Sequence, residues 1–161
     1  MTTYYIGVDP GAGGAVAILN DVGGLVQVFD MPSLQMTVAG KAKRRVSPEM
    51  LAAELRLVAP QVNVACVEQV SAMPGQGVSS MFTFGQAYGM VLGVLAGLYI
   101  PARTVPPAKW KRDLKLNTGK DAARAEAARR WPAQAGEFRR VKDDGRAEAA
   151  LLAVWAMSKS P

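Results

Sequence analysis

The segment over residues 4–19 (YYIGVDPGAGGAVAIL) constrains the fold more than any other part of the chain. Its first five residues are β-branched, aromatic or small, its centre carries proline and three glycines, and an apolar run resumes at Ala15. This pattern predicts a strand, a tight turn and a second strand. Asp9 then lies at the carboxyl end of the first strand, which is the edge of an open α/β sheet where ligands and catalytic groups gather.

Length and composition predict one globular domain spanning residues 1–161. The chain has 50% hydrophobic and 20% charged residues, which is enough for a single core. The N-terminus has no basic region before an apolar one, so we expect no secretory signal and a cytoplasmic protein. Cys66 is the only cysteine, and its apolar neighbours predict a buried, inert thiol.

The charge balance narrows the function classes. A formal net charge of +6 predicts attraction to polyanions, nucleic acid first, although a basic surface that only serves solubility is the alternative. The chain contains no histidine, which excludes serine–histidine triads, histidine general bases and histidine metal sites. Carboxylates, lysines and metal-bound water remain as chemical tools.

A second acid repeats the placement of Asp9. Residues 24–31 predict a third strand, and residues 47–59 predict a crossover helix that leads to an apolar strand over 62–67, which ends on Glu68. Two parallel strands would bring Asp9 and Glu68 together at one sheet edge. Because two carboxylates repel unless a cation joins them, Mg²⁺ or Mn²⁺ is the expected occupant. The alternative is that one of these acids only caps a turn.

Cations occur in two places. We expect residues 32–46 to form a loop in which Arg44 and Arg45, with two lysines, either follow a phosphate backbone or are simply solvated. After a fifth strand over 100–105, residues 106–120 carry Lys109, Lys111 and Lys120 near Trp110. Basic residues mixed with aromatics suit phosphate contact and base stacking. Alternatively, Trp110 and Trp131 are core anchors and the lysines are solvated.

The longest uncharged stretch, residues 69–102, predicts a helix over about 80–98. We expect a buried core helix rather than a membrane span, because polar residues interrupt the stretch and its compact apolar part is shorter than the roughly 20 residues that a bilayer needs. Glycines at 85, 89, 93 and 97 form one smooth face. This face predicts close packing against the sheet or a second subunit, with a membrane dimer motif as the weak alternative.

The last predicted helix begins near Asp143 or Asp144. Asp144 and Glu148 lie one turn apart on the same face, which is unfavourable in an isolated helix unless a cation is near. Capping and solvent exposure would be the plain explanation for these acids. The small and apolar residues around Glu148 instead indicate a packed helix.

Five motifs together resemble the RuvC-like Holliday junction resolvases of the ribonuclease H-like superfamily, especially their short phage-encoded branch. The motifs are GVDPG from Gly7, VEQV from Val67 followed by PGQG from Pro74, FTFG from Phe82, VPPAKWK from Val105 and DDGRAEA from Asp143. The resemblance covers most of the chain. Each motif is weak alone, but their order and spacing make the set specific.

The resemblance implies an α/β fold with a five-stranded mixed sheet, three antiparallel strands followed by two parallel ones, and helices on both faces. It implies a homodimer that places two active sites on one four-way DNA junction. Asp9, Glu68, Asp144 and Glu148 would hold two Mg²⁺ or Mn²⁺ ions, one to activate water and one to stabilise the departing 3′ oxygen. The resulting nicks would leave 5′-phosphate and 3′-hydroxyl ends, and Lys109 and Lys120 would contact the DNA backbone.

The chain departs from the family pattern at two positions. The family commonly spaces the last two acids by three residues, whereas Asp144 and Glu148 are four apart, so Asp143 is the alternative ligand. Cellular members also carry an aromatic residue shortly after the second acid that wedges the junction open, whereas residues 70–73 here are VSAM. We therefore identify no wedge residue from the sequence.

Three other functions compete with junction resolution. A nuclease of the same fold that acts on other branched or flapped DNA is the nearest. The DPGAGG turn from Asp9 also looks like the phosphate-binding turn of actin-like sugar kinases, but those chains are much longer and a basic protein does not suit a small-metabolite kinase. A nonenzymatic junction-binding protein is the third, and the intact set of four acids argues against it.

Overall fold

The computed structural model describes residues 1–161, which form seven strands and five α-helices. Their order is β1 (Tyr4–Asp9), β2 (Ala15–Asn20), β3 (Leu25–Asp30), β4 (Ser33–Val38), β5 (Lys41–Val46), α1 (Pro48–Leu55), β6 (Val62–Glu68), α2 (Val78–Gly97), β7 (Ala102–Val105), α3 (Pro107–Asp113), α4 (Ala122–Arg130) and α5 (Asp144–Ser158). Short 3₁₀ helices occur at Ala59–Gln61, Pro132–Phe138 and Val141–Asp143.

The main sheet has the strand order β3-β2-β1-β6-β7. Strands β1, β2 and β3 pair antiparallel, and β6 and β7 continue the sheet in parallel with β1. The predicted five-stranded mixed sheet is therefore confirmed. Val8 is the register partner of Val67, so the next residues along the two strands, Asp9 and Glu68, emerge side by side at the same edge.

Helices cover both faces of this sheet, as predicted. Alternate residues of the central strands divide between two buried clusters: Ile6 and Val8 face α1 and α2, whereas Leu19 and Cys66 face α4 and α5. This alternation follows from the two-residue period of a strand. It gives the chain two hydrophobic layers, separated by the sheet.

Helix α5 crosses β1 at very close range. A Cβ atom on Gly7 would lie 1.9 Å from the carbonyl oxygen of Ala149 and 2.5 Å from the backbone nitrogen of Ala153. The alanines of α5 that face the sheet are fully buried. Only glycine on the strand and alanine on the helix leave room for this approach.

Residues 33–46 form a β-hairpin, so the prediction of a loop was wrong. Strands β4 and β5 pair from Ser33 with Val46 to Val38 with Lys41, in a two-stranded sheet of their own. Ala39 and Gly40 connect them with φ angles of 50° and 74°, as a two-residue hairpin turn with two positive φ angles requires. The alternation of Leu34, Met36 and Val38 with polar residues was the signal in the sequence.

Helix α2 is mostly exposed, so the prediction of a buried core helix was wrong. Its buried residues are Ala87, Val91 and Leu95, one strip at four-residue spacing that packs on the sheet. Its four glycines have no neighbouring atom within 4 Å of an added Cβ, so the glycine face points away from the sheet. By length and composition α2 is able to cross a membrane, which for a single helix is weak evidence of a span.

The aromatic and thiol side chains in question belong to the core. Trp110 and Trp131 are 0% and 6% exposed, so they are core anchors and do not present a stacking surface. Cys66 is fully buried, and burial raises the pKa of its thiol to about 12. The prediction of an inert cysteine is confirmed.

The crossing at Gly7 predicts a steep packing penalty. The substitution Gly7→Ala should lower the free energy of unfolding by about 3 kcal/mol, because its methyl group overlaps the α5 backbone. Urea unfolding measures this change. Gly13→Ala, where an added Cβ meets nothing within 4 Å, is the matched control, and equal unfolding midpoints for the two variants would contradict the close crossing.

Candidate active site

Two strand ends and the first turns of α5 build the candidate site. Asp9 and Glu68 end β1 and β6, and α5 begins directly above them with Asp144. A Cβ on Gly145 would lie 3.1 Å from the Oδ2 atom of Asp9 and 3.2 Å from the Cα of Gly14. Glycine at 145 therefore lets the helix start against the β1–β2 turn, and this brings the acids of α5 to the sheet edge.

The four predicted acids share one electrostatic environment. Burial, followed by the negative charges of Glu148, Glu68 and Asp144, raises the pKa of Asp9 to about 7, although the Gly11 amide opposes the shift. The pKa of Glu68 is also raised, by burial first and then by Glu148. The structure therefore brings Asp9, Glu68, Asp144 and Glu148 together in a site that is short of positive charge.

Lys111 is the cation that the Asp144 and Glu148 pair requires. Its Nζ atom donates a hydrogen bond of 2.6 Å to the Oε1 atom of Glu148. Burial alone would lower the pKa of Lys111, but the contact with Glu148 and the attraction of Glu68 and Asp144 raise it overall. The side chain of Lys111 is 42% exposed, so it lies at the boundary between the acid cluster and the solvent.

Trp110 fixes the orientation of Glu68, a role that the sequence did not reveal. Its indole Nε1 donates a hydrogen bond of 2.7 Å to the Oε2 atom of Glu68. The indole is fully buried, so this donor has a fixed position. The residue types alone give no signal for this contact, because 42 positions separate the two residues in the chain.

The structure distinguishes Asp143 from Asp144. Asp143 is 1% exposed and accepts hydrogen bonds of 2.8 Å from both the backbone nitrogen and the guanidinium of Arg140. This arginine lowers the pKa of the Asp143 carboxyl. Asp144, by contrast, has a buried Oδ1 atom with no hydrogen-bond partner. Of the two, Asp144 keeps an oxygen for a ligand.

Arg146 anchors the first turn of α5 and was also missed from the sequence. Its guanidinium bonds Asp30 at the end of β3 at 2.7 Å and Glu137 of the preceding 3₁₀ segment at 2.6 Å. These contacts hold the start of α5 against the end of β3 and the preceding 3₁₀ segment. The Gly145-Arg146 pair within the last motif was the available signal.

The residues fit a hard divalent cation by their chemistry rather than by a ready geometry. As the side chains stand, no group of three or more acids is arranged to hold a metal ion. Trp110 takes one oxygen of Glu68 and Lys111 takes one of Glu148. The unpartnered oxygen of Asp144 and the repulsion within the cluster are what a cation with oxygen ligands would relieve.

The predicted DNA-binding cations fall into three groups. Lys111 and Lys120 line a cavity of about 920 Å³ together with Asp144 and Glu148. Lys109 instead points to Asp113, at 3.4 Å. Arg44 and Arg45 lie on β5 of the hairpin, where Arg44 donates to the hydroxyl of Ser33. Two of the five cations thus share a cavity with Asp144 and Glu148, two lie on the hairpin, and Lys109 pairs with Asp113.

Known proteins resemble this chain in part of its sequence and in its fold. No family model matches it. Over 93 residues it is 38% identical to the chloroplastic Holliday junction resolvase MOC1 of Chlamydomonas reinhardtii, a match that covers 56% of this chain. The chain spans only 10% of the length of that relative.

A structure of Thermus thermophilus RuvC in complex with a Holliday junction substrate superposes with a TM-score of 0.54 at 15% identity. The match covers 98% of this chain and 96% of RuvC. The chain has a ribonuclease H-like fold. Within this fold, Asp9, Glu68, Asp144 and Glu148 form an acid cluster at the edge where β1 and β6 end beneath α5.

The raised pKa of Asp9 predicts a pH-dependent stability difference. Since the folded pKa of about 7 exceeds the ordinary 3.8, the contribution of Asp9 to stability is fully present below about pH 4 and is lost as the pH rises to about 7. Asp9→Asn removes this loss. Without metal, Asp9→Asn should be more stable than the wild type by about 4 kcal/mol near pH 8, and this gain should shrink towards zero near pH 4.

Urea unfolding in chelator, repeated across this pH range, measures the gain. Asp21→Asn, which changes an exposed acid in the β2–β3 turn, is the control and should give a flat difference. A flat difference for Asp9→Asn as well would mean that Asp9 is not in a repulsive, desolvated site.

Proposed function

We propose that the protein is a metal-dependent, structure-selective DNA endonuclease that resolves four-way junctions by paired nicks, leaving 5′-phosphate and 3′-hydroxyl ends. The observation that carries this proposal is the gathering of four carboxylates and Lys111 at one edge of a basic ribonuclease H-like domain. The names of the similar proteins, a Holliday junction resolvase and a RuvC bound to a junction, support the same substrate. The phage origin and the cytoplasmic location stay predictions.

In this proposal Asp9, Glu68, Asp144 and Glu148 hold two Mg²⁺ or Mn²⁺ ions. Ions bound there would supply Lewis-acid chemistry for the attack of water on a phosphodiester and for the departure of the 3′ oxygen. Asp9 must lose its proton to become a ligand, and its pKa of about 7 in the metal-free protein means that a proton competes with the metal near neutral pH. Trp110 keeps the Glu68 carboxylate in position through its indole N–H.

The lysines recruit the phosphate backbone. Lys111 neutralises Glu148 in the metal-free protein, and its exposed ammonium can turn to a DNA phosphate once a cation takes over the carboxylate. Lys120 lines the same cavity and adds a second positive charge. Phosphate contacts of this kind position DNA without reading its sequence.

The proposed assembly is a homodimer through the glycine face of α2. This 20-residue helix is apolar in composition, but only three of its residues are buried in the monomer, and the apolar side chains beside them are partly buried. Its glycines leave a flat surface on which a second backbone is able to approach closely. Pairing two copies through this face would join two acid clusters into one particle, as a junction with two scissile strands requires.

The dimer predicts that Gly89→Glu produces monomers. The added side chain meets nothing within 4 Å in the monomer, and glutamate favours a helix over glycine, so folding should be unaffected. Sedimentation velocity should show a dimer for the wild type and for Gly136→Glu, another glycine with an open Cβ position. A dimer of unchanged affinity for Gly89→Glu would rule out the α2 interface.

The catalytic test uses a labelled four-way junction and a linear duplex of the same sequence, each with magnesium, manganese or chelator. We expect metal-dependent cutting of the junction only. Asp9→Asn should bind the junction as the wild type does but cut at less than about a hundredth of its rate, and Asp21→Asn should cut normally. Equal cutting of both substrates would contradict the proposal that the enzyme is a junction resolvase. Normal cutting by Asp9→Asn would contradict the assignment of Asp9 to the active site.

One observation favours a nonenzymatic junction-binding protein as the second candidate. Lys111 pairs with Glu148, so part of the negative charge of the acid cluster is neutralised without metal. No group of three acids is arranged to hold a metal ion. Junction binding with no cutting in either metal would support this candidate. Preferential cutting of a flapped substrate would instead assign the enzyme to other branched DNA.

A further inference from the structure

Arg146 lies on the side of α5 that faces away from the acid cluster. Residues two apart in an α-helix differ by about 200° in direction. Arg146 therefore points away from both Asp144 and Glu148, which lie two positions before and two positions after it. Its side chain is only 17% exposed, so it is held within the protein on that side. Arg146 can influence these two acids through the position of the helix that carries them.

The guanidinium of Arg146 joins α5 to two other elements. Its Nε and Nη2 atoms donate hydrogen bonds of 2.7 and 3.2 Å to the two carboxylate oxygens of Asp30, the last residue of β3. Its Nη1 atom donates a hydrogen bond of 2.6 Å to Glu137. A planar guanidinium that holds both oxygens of a carboxylate fixes direction as well as distance.

Asp30 connects Arg146 to the turn against which α5 begins. Asp30 is the register partner of Ala15 in the sheet, and the backbone nitrogen of the residue after it donates a hydrogen bond of 2.9 Å to the carbonyl oxygen of Gly14. The start of α5 approaches the same turn, since a Cβ on Gly145 would lie 3.2 Å from the Cα of Gly14. The first turn of α5 thus rests against the β1–β2 turn and is tied to the strand beside it.

This tie opposes the repulsion within the acid cluster. Burial and the neighbouring carboxylates raise the pKa of Asp9, and the same repulsion pushes the acids of α5 away from those of the sheet when no metal is bound. The carboxylate partners of Arg146 are about half exposed, Asp30 at 57% and Glu137 at 46%. Because ion pairs with exposed partners add little to stability, the main effect of these contacts is on the position of the helix start.

We propose that Arg146 is a positioning residue of the metal site, which acts by holding Asp30 and so sets where Asp144 and Glu148 stand relative to the sheet. This inference rests on the proposed function, because it takes the acids as metal ligands. Replacing a residue that orients metal ligands without touching the metal changes metal affinity or activity by about 10- to 100-fold. We expect an effect of this size from Arg146.

The test compares Arg146→Lys with Arg129→Lys. Lysine keeps the positive charge at both positions but lacks the planar fork of donors. Arg129 makes the same kind of two-point contact, with two hydrogen bonds of 2.8 Å to Glu126 on α4, so it is the matched control. Mn²⁺ affinity is measured by calorimetry without DNA, junction affinity in chelator, and the cutting rate at saturating junction with Mn²⁺.

We expect Arg146→Lys to bind Mn²⁺ about 10- to 100-fold more weakly than the wild type, and to cut a saturating junction more slowly at limiting Mn²⁺. Its junction affinity in chelator and its midpoint of urea unfolding should match those of Arg129→Lys. Unchanged Mn²⁺ affinity would overturn the inference. Weaker junction binding in chelator would also overturn it, because Arg146 would then be a DNA contact.

A double variant identifies the partner through which Arg146 acts. Asp30→Asn removes the other half of the contact and should weaken Mn²⁺ binding in the same direction. Because the two residues form one contact, combining Asp30→Asn with Arg146→Lys should give a smaller loss than the product of the two single losses. Fully independent losses would contradict the role assigned to Asp30 in the inference.

Failure of this inference is distinguishable from failure of the proposed function. A wild type that cuts junctions, with an Arg146→Lys variant that matches it in Mn²⁺ affinity and cutting rate, leaves the endonuclease intact and contradicts the positioning role. A wild type that binds Mn²⁺ but cuts nothing, with weaker Mn²⁺ binding by Arg146→Lys, supports the positioning role and contradicts the endonuclease.

Discussion

The crossing of α5 over β1 at Gly7 is the contact on which the rest of the site depends. A strand and a helix rarely approach so closely, because a single Cβ atom at Gly7 would overlap the helix backbone. The crossing fixes how far α5 lies above the sheet, and Gly145 then lets its first turn reach Asp9. Two acids from the sheet and two from the helix meet only because both glycines remove the side chains that would separate them.

In this arrangement, core packing favours the folded state while the electrostatics of the acid cluster oppose it. The hydrophobic layers on both faces of the sheet hold the acids in place, while burial and mutual repulsion disfavour their charged forms. Lys111, Trp110 and Arg146 each reduce the conflict, respectively by neutralising Glu148, orienting Glu68 and fixing the start of α5. Glu148, Glu68 and Asp30 lie 37, 42 and 116 positions from Lys111, Trp110 and Arg146 respectively, so the balance is a property of the tertiary structure.

The sequence predicted most of the fold because strand periodicity and strand ends are local signals. It predicted that Asp9 and Glu68 would be neighbours, since parallel strands align their carboxyl ends. It left Asp143 and Asp144 as alternatives, because the two acids differ only in their contacts. Arg140 binds Asp143, whereas Asp144 has a buried oxygen with no hydrogen-bond partner. The contact of Trp110 with Glu68 and the exposure of α2 were also beyond it, since both depend on how distant elements pack.

The glycines of α2 also bear on where the molecule opens. Relative to alanine, each glycine in a helix interior disfavours the helical state by about 1 kcal/mol, and α2 has three interior glycines and a fourth as its last residue, all along one side. Only Ala87, Val91 and Leu95 of the helix are buried, and the apolar side chains beside them are partly buried against the same cluster. In a single copy, these glycines therefore favour local opening of α2.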